Sequence, residues 1–163
     1  MVNFKKIQND IFKAWFKSMT SNKGVDFDIH FKFGRMGDNV WVVTDSIAMY
    51  AIPNTLFAFD YDKMLYNHTE LEVDKILRCD EADLFPIEYK CEKVTADNKR
   101  VTIFTNGVSE VSTEITIDSR LLEYIDIKEC TFKGKGAKHP IYAYDSISGE
   151  MVAMILPIWG ARY

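Results

Sequence analysis

The chain has 163 residues, of which 47% are hydrophobic and 27% are charged, and its formal net charge is −4. These values are typical of a globular chain long enough to bury a core, and they exclude a disordered or collagen-like protein. The acidic total argues against a general nucleic-acid-binding protein. The charge is uneven, however, because residues 1–23 carry five lysines and one acid, giving +4, and the remaining residues carry −8.

The first predicted element is an amphipathic helix over residues 4–19. Apolar residues recur there at spacings of three and four, which predicts a helix whose apolar side packs on a sheet. These residues are Phe4, Ile7, Ile11, Trp15 and Met19. Exposed aromatic residues interleaved with the basic residues are not recognised in this helix, so stacking on single-stranded nucleic acid is not predicted.

The basic residues of this segment are the candidate DNA-binding residues. Lys6, Lys13 and Lys17 lie within about 40° of one another, opposite the apolar side. They suit either a solvated helix surface or a row of point charges against nucleic-acid phosphates. On the second interpretation these three lysines are the best candidates for phosphate contact, and Lys5 and Lys23 come next.

In most of the remaining chain, apolar and polar residues alternate with a period of two, which predicts strands. Asp60 or Asp62 is predicted to cap a helix starting near residue 61, and Asp118 or Ser119 a short helix over 119–126. The predicted strands are "VDFDIHFKF", "VWVVTD", "IAMYAI", "IEYKCEKVT", "VTIFT", "VSEVSTEITI", "ECTFKGK", "IYAYD" and "MVAMILPI". The sequence thus predicts an α+β fold, mostly antiparallel sheet with two or three helices on one face.

The two ends of the chain share an ordered set of features. Each has a helix followed by three predicted strands, with Asp-Ser-Ile at a turn, then an Ala-Met pair and a closing proline. This order predicts an internal α-β-β-β duplication within a single domain, 1–163. The repeat halves are 1–59 and 114–163, joined by an acidic and strand region over 60–113. The alternative is coincidental hairpins in an unrelated α+β fold.

Motifs of enzyme and metal chemistry are not recognised in the sequence. The three histidines are far apart and lack metal-ligand spacing; they are His30, His68 and His139. The segment "DYD" at 60–62 lacks the glycine and distal glutamate of a calcium loop, and "GKGAKH" at 134–139 lacks the spacing of a phosphate-binding loop. The sequence therefore predicts a non-enzyme with no catalytic residues, no metal and no cofactor.

The cysteines and the N-terminus bear on the cellular compartment. Cys79, Cys91 and Cys130 are an odd number without a C-x-x-C pair, which favours unpaired thiols in a reducing environment. No signal peptide is recognised at the start, and no apolar run is long enough to span a membrane. The sequence predicts a cytoplasmic protein without a membrane partner.

Four segments together resemble the DNA polymerase sliding clamp. "EITIDSRLLEYID" at 114–126 is similar to the clamp's strand leading into a short helix, and "HPIYAYDSISGEMVAMILPI" at 139–158 to its closing hairpin. "TDSIAMYAI" at 44–52 is similar to the family's "TD" strand, and "DEADLFP" at 80–86 resembles the acidic stretch that precedes a new unit in bacterial clamps.

The resemblance implies a non-catalytic sliding-clamp-like module acting in DNA replication or repair, through DNA-backbone contact or protein partners. Double-stranded DNA is the implied nucleic-acid partner, and the first helix, basic in an acidic molecule, is the implied contact. The chain is about one clamp domain long, so a ring would require self-association as a homo-oligomer. The alternative is a phage or mobile-element protein-interaction module that does not bind DNA.

Overall fold

The computed structural model describes residues 1–20, 30–65, 69–79, 81–106 and 114–158. The chain forms two compact units, Val2–Arg78 and Cys79–Tyr163, and Met1 belongs to the second. We call them the N-terminal unit and the C-terminal unit. Both contain helices and antiparallel strands, which confirms the predicted α+β class. The single-domain organisation with repeat halves stays a prediction.

The N-terminal unit is built around a three-stranded antiparallel meander. β2 pairs on one side with β1 and on the other with β3. Its core includes Ile7 and Ile11 of the first helix and Phe33, Trp41 and Tyr50 of the strands, each at most 2% exposed. The elements are α1 Phe4–Thr20, β1 Phe31–Met36, β2 Asn39–Thr44, β3 Ala48–Pro53, a 3₁₀ helix Asn54–Leu56, α2 Tyr61–Met64 and α3 Val73–Ile76.

Strand β1 extends further than the sequence pattern indicates. The predicted strand "VDFDIHFKF" ends at Phe33, but β1 continues through Met36, and only Gly37 and Asp38 form the turn. Gly34 lies inside the strand, where a Cβ atom would overlap the carbonyl oxygen of Leu71 and approach Val73 Cγ2 to 2.5 Å. A glycine inside a strand often marks such a close backbone approach, so it is not a turn signal here.

The C-terminal unit contains six antiparallel strands in the order β9-β8-β7-β4-β5-β6. β4 connects its two halves, since Phe85–Ile87 pair with β7 and Glu88–Val94 pair with β5, with a register shift between Tyr89 and Cys91. The elements are a 3₁₀ helix Glu81–Asp83, β4 Phe85–Val94, β5 Arg100–Thr105, β6 Glu114–Asp118, 3₁₀ helices Ser119–Tyr124 and Ile127–Glu129, β7 Cys130–Gly134, β8 Ile141–Asp145 and β9 Met151–Ile155.

The apolar C-terminal strand is buried as its composition suggests. Ala153, Met154 and Ile155 are successive residues of β9, and none is more than 6% exposed. Successive strand residues point to opposite faces, so both faces of β9 are covered at this end. A strand buried on both faces needs a continuous apolar run, which explains the unusual composition of this segment.

The first turn with the Asp-Ser-Ile tripeptide connects β2 to β3. Asp45 and Ser46 both adopt left-handed backbone conformations, with φ of 47° and 58°. The backbone N–H of Ile47 donates to the carbonyl of Thr44 at 3.0 Å. Two consecutive positive φ values are typical of the tight turns that match the twist of a hairpin.

The second such turn connects β8 to β9 and has a different conformation. Oδ1 of Asp145 accepts hydrogen bonds from the backbone N–H groups of Ile147 at 3.0 Å and Ser148 at 2.9 Å. The left-handed residue is Gly149, with φ of 74°. The shared tripeptide therefore does not impose a shared turn, because the longer second loop gives the aspartate its own backbone donors.

The order of elements that suggested a duplication does recur. α1 is followed by the meander β1-β2-β3, and the helical segment after β6 is followed by the meander β7-β8-β9. The predicted helix over 119–126 is a 3₁₀ helix over Ser119–Tyr124. The internal duplication itself stays a prediction.

Candidate nucleic-acid interface

Helix α1 has a defined beginning and a defined attachment to its unit. Asn3 precedes the helix, and its Oδ1 accepts from the backbone N–H of Lys6 at 3.1 Å, as an N-cap does. Ile7 and Ile11 are fully buried. Oε1 of Gln8 accepts from the backbone N–H of Ala58 at 2.5 Å. One narrow strip of the helix therefore holds it in the N-terminal unit.

The predicted DNA-binding lysines of α1 are at the surface. Lys5, Lys13 and Lys17 are exposed and Lys6 is half-buried. Lys6, Lys13 and Lys17, which we call the lysine row, share one side of the helix, and Lys5 lies about 100° away from it. Lys23 lies outside the described residues.

Lys13 of the lysine row forms an ion pair with an acid of the same helix. Nζ of Lys13 lies 3.3 Å from Oδ1 of Asp10, and the Lys13 side chain is 76% exposed. A solvated pair of this kind contributes little to stability, so a phosphate can replace the carboxylate at low cost. Four lysines against this single acid give α1 a formal charge of +3.

The apolar side of α1 differs from the prediction. Only Ile7 and Ile11 are buried in this helix, and Trp15 and Met19 are 38% and 59% exposed, so the prediction that they pack on the sheet is wrong. The reason is geometric, because each step of four residues advances about 40° around an α-helix. Trp15 is two such steps beyond Ile7, so its side chain points about 80° away from the direction of Ile7 and outside the packed strip.

Two further rings join this exposed surface. Phe12 and Phe16 are 50% and 54% exposed. The expectation that no aromatic residue of the helix is available for stacking is therefore also wrong. A projection of the sequence onto a helical wheel, instead of a search for spacings of three and four, would have separated these residues from the buried strip. We call Phe12, Trp15, Phe16 and Met19 the aromatic face.

The second predicted helix presents no comparable basic surface. Asp118 caps it, accepting from the backbone N–H of Arg120 at 3.0 Å, and the Arg120 guanidinium binds the same carboxylate at 2.6 Å. Burial opposes ionisation of Asp118, but hydrogen bonds from the Arg120 side chain and backbone lower its pKa. Leu121 and Leu122 are buried. The basic group of this segment is thus already paired with an acid.

The histidine and aspartate candidates have structural roles or lie apart. His30 Nδ1 is 3.1 Å from Oδ1 of Asp45, His139 is exposed, and His68 lies outside the described residues. Asp60 caps α2, accepting from the backbone N–H of Lys63 at 3.3 Å. In the part of the chain that the structure describes, no three His, Cys, Asp or Glu side chains could hold a metal ion.

The basic loop over 134–139 joins β7 to β8 and is tied to its own unit. The ammonium group of Lys135 forms an ion pair with Asp83. Nζ of Lys133 lies 4.6 Å from the centre of the Tyr144 ring, which is a cation–π contact. The loop joins two strands and does not precede a helix, so it lacks the helix start at which a phosphate-binding loop holds its ligand.

Within the described residues, no helix combines the length and the apolar character needed to cross a bilayer. Comparison of the chain with protein-family models, with curated proteins and with solved structures found no match.

Proposed function

We propose that this protein is a non-catalytic, sliding-clamp-like module that acts in DNA replication or repair by placing helix α1 against nucleic-acid phosphates. The observation that carries the proposal is the lysine row, which lies on a side of α1 away from the buried Ile7 and Ile11. Attachment to the unit and contact with a partner thus use different sides of one helix.

The charge distribution supports this proposal. α1 carries +3, whereas the whole chain carries −4. Acidic surface elsewhere repels a polyanion, so a nucleic acid would be directed to the basic helix. Lysines act as point charges on phosphates and read no sequence, so the contact would be insensitive to sequence.

Salt dependence tests the electrostatic part of the proposal. Three phosphate contacts predict a slope of about −2.7 for the logarithm of duplex affinity against the logarithm of salt concentration. Affinity should therefore fall about 40-fold when salt rises fourfold. Fluorescence anisotropy of labelled DNA, duplex and single-stranded, gives this slope.

A charge-reversal variant tests the residues. Lys6→Glu with Lys13→Glu should abolish DNA binding, because it replaces two attractive contacts by two repulsive ones. Lys135→Glu is the matched control, since Lys135 is paired with Asp83 in the C-terminal unit. If the double variant binds DNA like the unmodified protein, or if the unmodified protein binds neither form of DNA, the proposed function is wrong.

A second candidate function is a protein-interaction module that does not bind DNA, and the aromatic face is the observation that favours it. Exposed apolar clusters often mark protein contacts. Light scattering distinguishes a monomer from a homo-oligomer such as a ring. A homo-oligomer that dissociates when Phe16 is replaced by Ser, in a protein without DNA affinity, would support this candidate.

A further inference from the structure

The aromatic face is a cluster of rings in contact with one another. The ring centres of Phe12 and Phe16 are 6.2 Å apart with planes inclined by 22°, and those of Phe12 and Trp15 are 6.3 Å apart with planes inclined by 49°. All four residues of the face are between 38% and 59% exposed. The rings thus present flat apolar surface to solvent on two adjacent turns of one helix.

Each phenylalanine of this face is followed directly by a lysine of the row. The pairs are Phe12-Lys13 and Phe16-Lys17, within the sequence "FKAWFK". Adjacent helical residues are about 100° apart, and the second pair repeats the first after about 6 Å of rise along the axis. α1 therefore presents the same combination of ring and cation twice, one helical turn apart.

A nucleic-acid duplex would use only half of this arrangement. Its bases are stacked and paired inside the helix, so they offer no free face to Phe12 or Phe16, while its phosphates can contact Lys13 and Lys17. A single strand has unstacked bases with free faces as well as phosphates, and proteins bind it by combining aromatic platforms with a basic surface. The pairs of ring and cation match the base and phosphate of a single strand.

A lipid surface fits the same helix less well. A helix that lies in a bilayer interface has an uninterrupted apolar arc. In projection along the axis of α1, the exposed Lys5 falls between the directions of Phe12 and Phe16, and the exposed Asn9 falls about 20° from that of Phe16. Insertion of the aromatic face would therefore carry a charge and an amide into the apolar layer.

We infer that α1 binds single-stranded nucleic acid, with bases stacked on the aromatic face and phosphates against Lys13 and Lys17. This inference rests on the proposed function and specifies its ligand as a single strand instead of the duplex that the sequence suggested. Stacking accepts every base, so binding would have little sequence preference. Trp15, at the edge of the cluster, would report the contact through its fluorescence.

The experiment compares a short oligothymidylate with a duplex of mixed sequence. The test variant is Phe12→Leu with Phe16→Leu, which keeps apolar bulk and removes the ring faces. The matched control is Ile76→Leu, at an exposed apolar residue of α3 outside the aromatic face. Loss of two stacked bases should weaken single-strand binding by about 30-fold or more. Duplex binding and the control variant should be unchanged, and the oligothymidylate should quench fluorescence in the unmodified protein but not in Trp15→Phe.

Other outcomes overturn the inference in distinguishable ways. Equal affinity for both forms, with no effect of the double Leu variant, contradicts stacking but leaves phosphate contact by α1 in place. Binding of neither form contradicts the proposed function as well. Binding to vesicles of phosphatidylglycerol and phosphatidylcholine without binding to the oligothymidylate would assign α1 to lipid. Circular dichroism of each variant checks that the helix remains folded.

Discussion

Helix α1 and the 3₁₀ helix Ser119–Tyr124 occupy the same place in the chain's repeated order, each before a three-stranded meander, and yet their surfaces differ. Two of the 17 residues of α1 are buried, whereas three of the six residues of the 3₁₀ helix are buried. The short helix uses half of its residues for packing. The long helix is held by a narrow strip, so most of its surface is available to a partner, and that surface carries lysines and aromatic rings.

The largest expected effect concerns the buried residues that attach each helix. Ile11 is fully buried in α1, and Leu122 in the 3₁₀ helix is 5% exposed. Replacing either by Ala leaves a cavity, so each change should lower the free energy of unfolding by about 2–5 kcal/mol. Urea denaturation followed by circular dichroism measures the loss. A change of Phe16 to Ala should cost well under 1 kcal/mol, because that side chain is half exposed; a cost like that of Ile11→Ala would contradict the exposed aromatic face.

The next effect concerns the cap of the 3₁₀ helix. Asp118→Ala removes the acceptor for Arg120 and should lower the free energy of unfolding by about 1–2 kcal/mol. The pKa of Asp118 is lowered in the folded protein despite its burial, because Arg120 binds the carboxylate. Its stabilising contribution is therefore fully present above the unfolded pKa of about 4 and is lost as pH falls through the lower folded pKa.

A pH series of urea denaturation curves checks this second prediction. The difference in stability between the unmodified protein and Asp118→Ala should shrink as the pH decreases below about 4. Asp118→Asn keeps the shape and one acceptor oxygen but not the charge, so it separates the hydrogen bond from the ion pair. If the difference in free energy of unfolding between the unmodified protein and Asp118→Ala stays constant at the lowest pH of the series, the role of the ionised carboxylate is contradicted.

A smaller effect is expected at the start of α1. Asn3→Ala removes the acceptor for the backbone N–H of Lys6 and should lower stability by about 1 kcal/mol. Asn3→Asp should retain the cap, since both side chains are good N-caps. Thermal denaturation followed by circular dichroism at the helical band tests both variants. An unchanged melting temperature for Asn3→Ala would contradict the role of Asn3 as the N-cap.

The smallest expected effect is on the salt dependence of nucleic-acid binding, and it distinguishes the lysines of α1 from the arginine of the 3₁₀ helix Ser119–Tyr124. Lys13→Ala should reduce the salt slope of nucleic-acid binding by about one, because one phosphate contact is lost. Arg120→Ala should leave the slope unchanged, since its guanidinium is bound to Asp118. Titrations at several salt concentrations give both slopes. Equal losses for the two variants would show that the 3₁₀ helix also contacts the nucleic acid.

Sequence periodicity predicted the parts of this fold that depend on neighbouring residues. The extent of α1, its lysine row and the cap at Asp118 follow from spacings of a few residues, and the structure has them at those positions. The exposure of Trp15 depends on how much of the helix the unit covers, which no local pattern records. In the same way, the need for Gly34 arises from Leu71, which is distant in the sequence.

Of the candidate site, the sequence predicted the exposed lysines but not the exposed aromatic residues. Lysines at a helix surface are exposed in almost any packing, so their position followed from the helix alone. The aromatic residues suited either a core or a surface, and spacings of three and four favoured the core. Each step of four residues turns about 40° around the helix, and this rotation places Trp15 at the surface instead of in the core. The rotation can be calculated from the sequence once Ile7 and Ile11 are known to be the packed residues.

The hydrogen bond between Gln8 and the backbone of Ala58, together with Ile7 and Ile11, sets the rotational phase of α1. The three helix residues of this attachment, Ile7, Gln8 and Ile11, precede the aromatic face and the last two lysines in the sequence. A single residue inserted after Ile11 would leave this attachment intact and turn everything beyond it by about 100°. The aromatic rings would then occupy the positions of the lysines around the helix axis. The direction in which α1 presents its binding residues can therefore change without a change in the contacts that attach the helix to its unit.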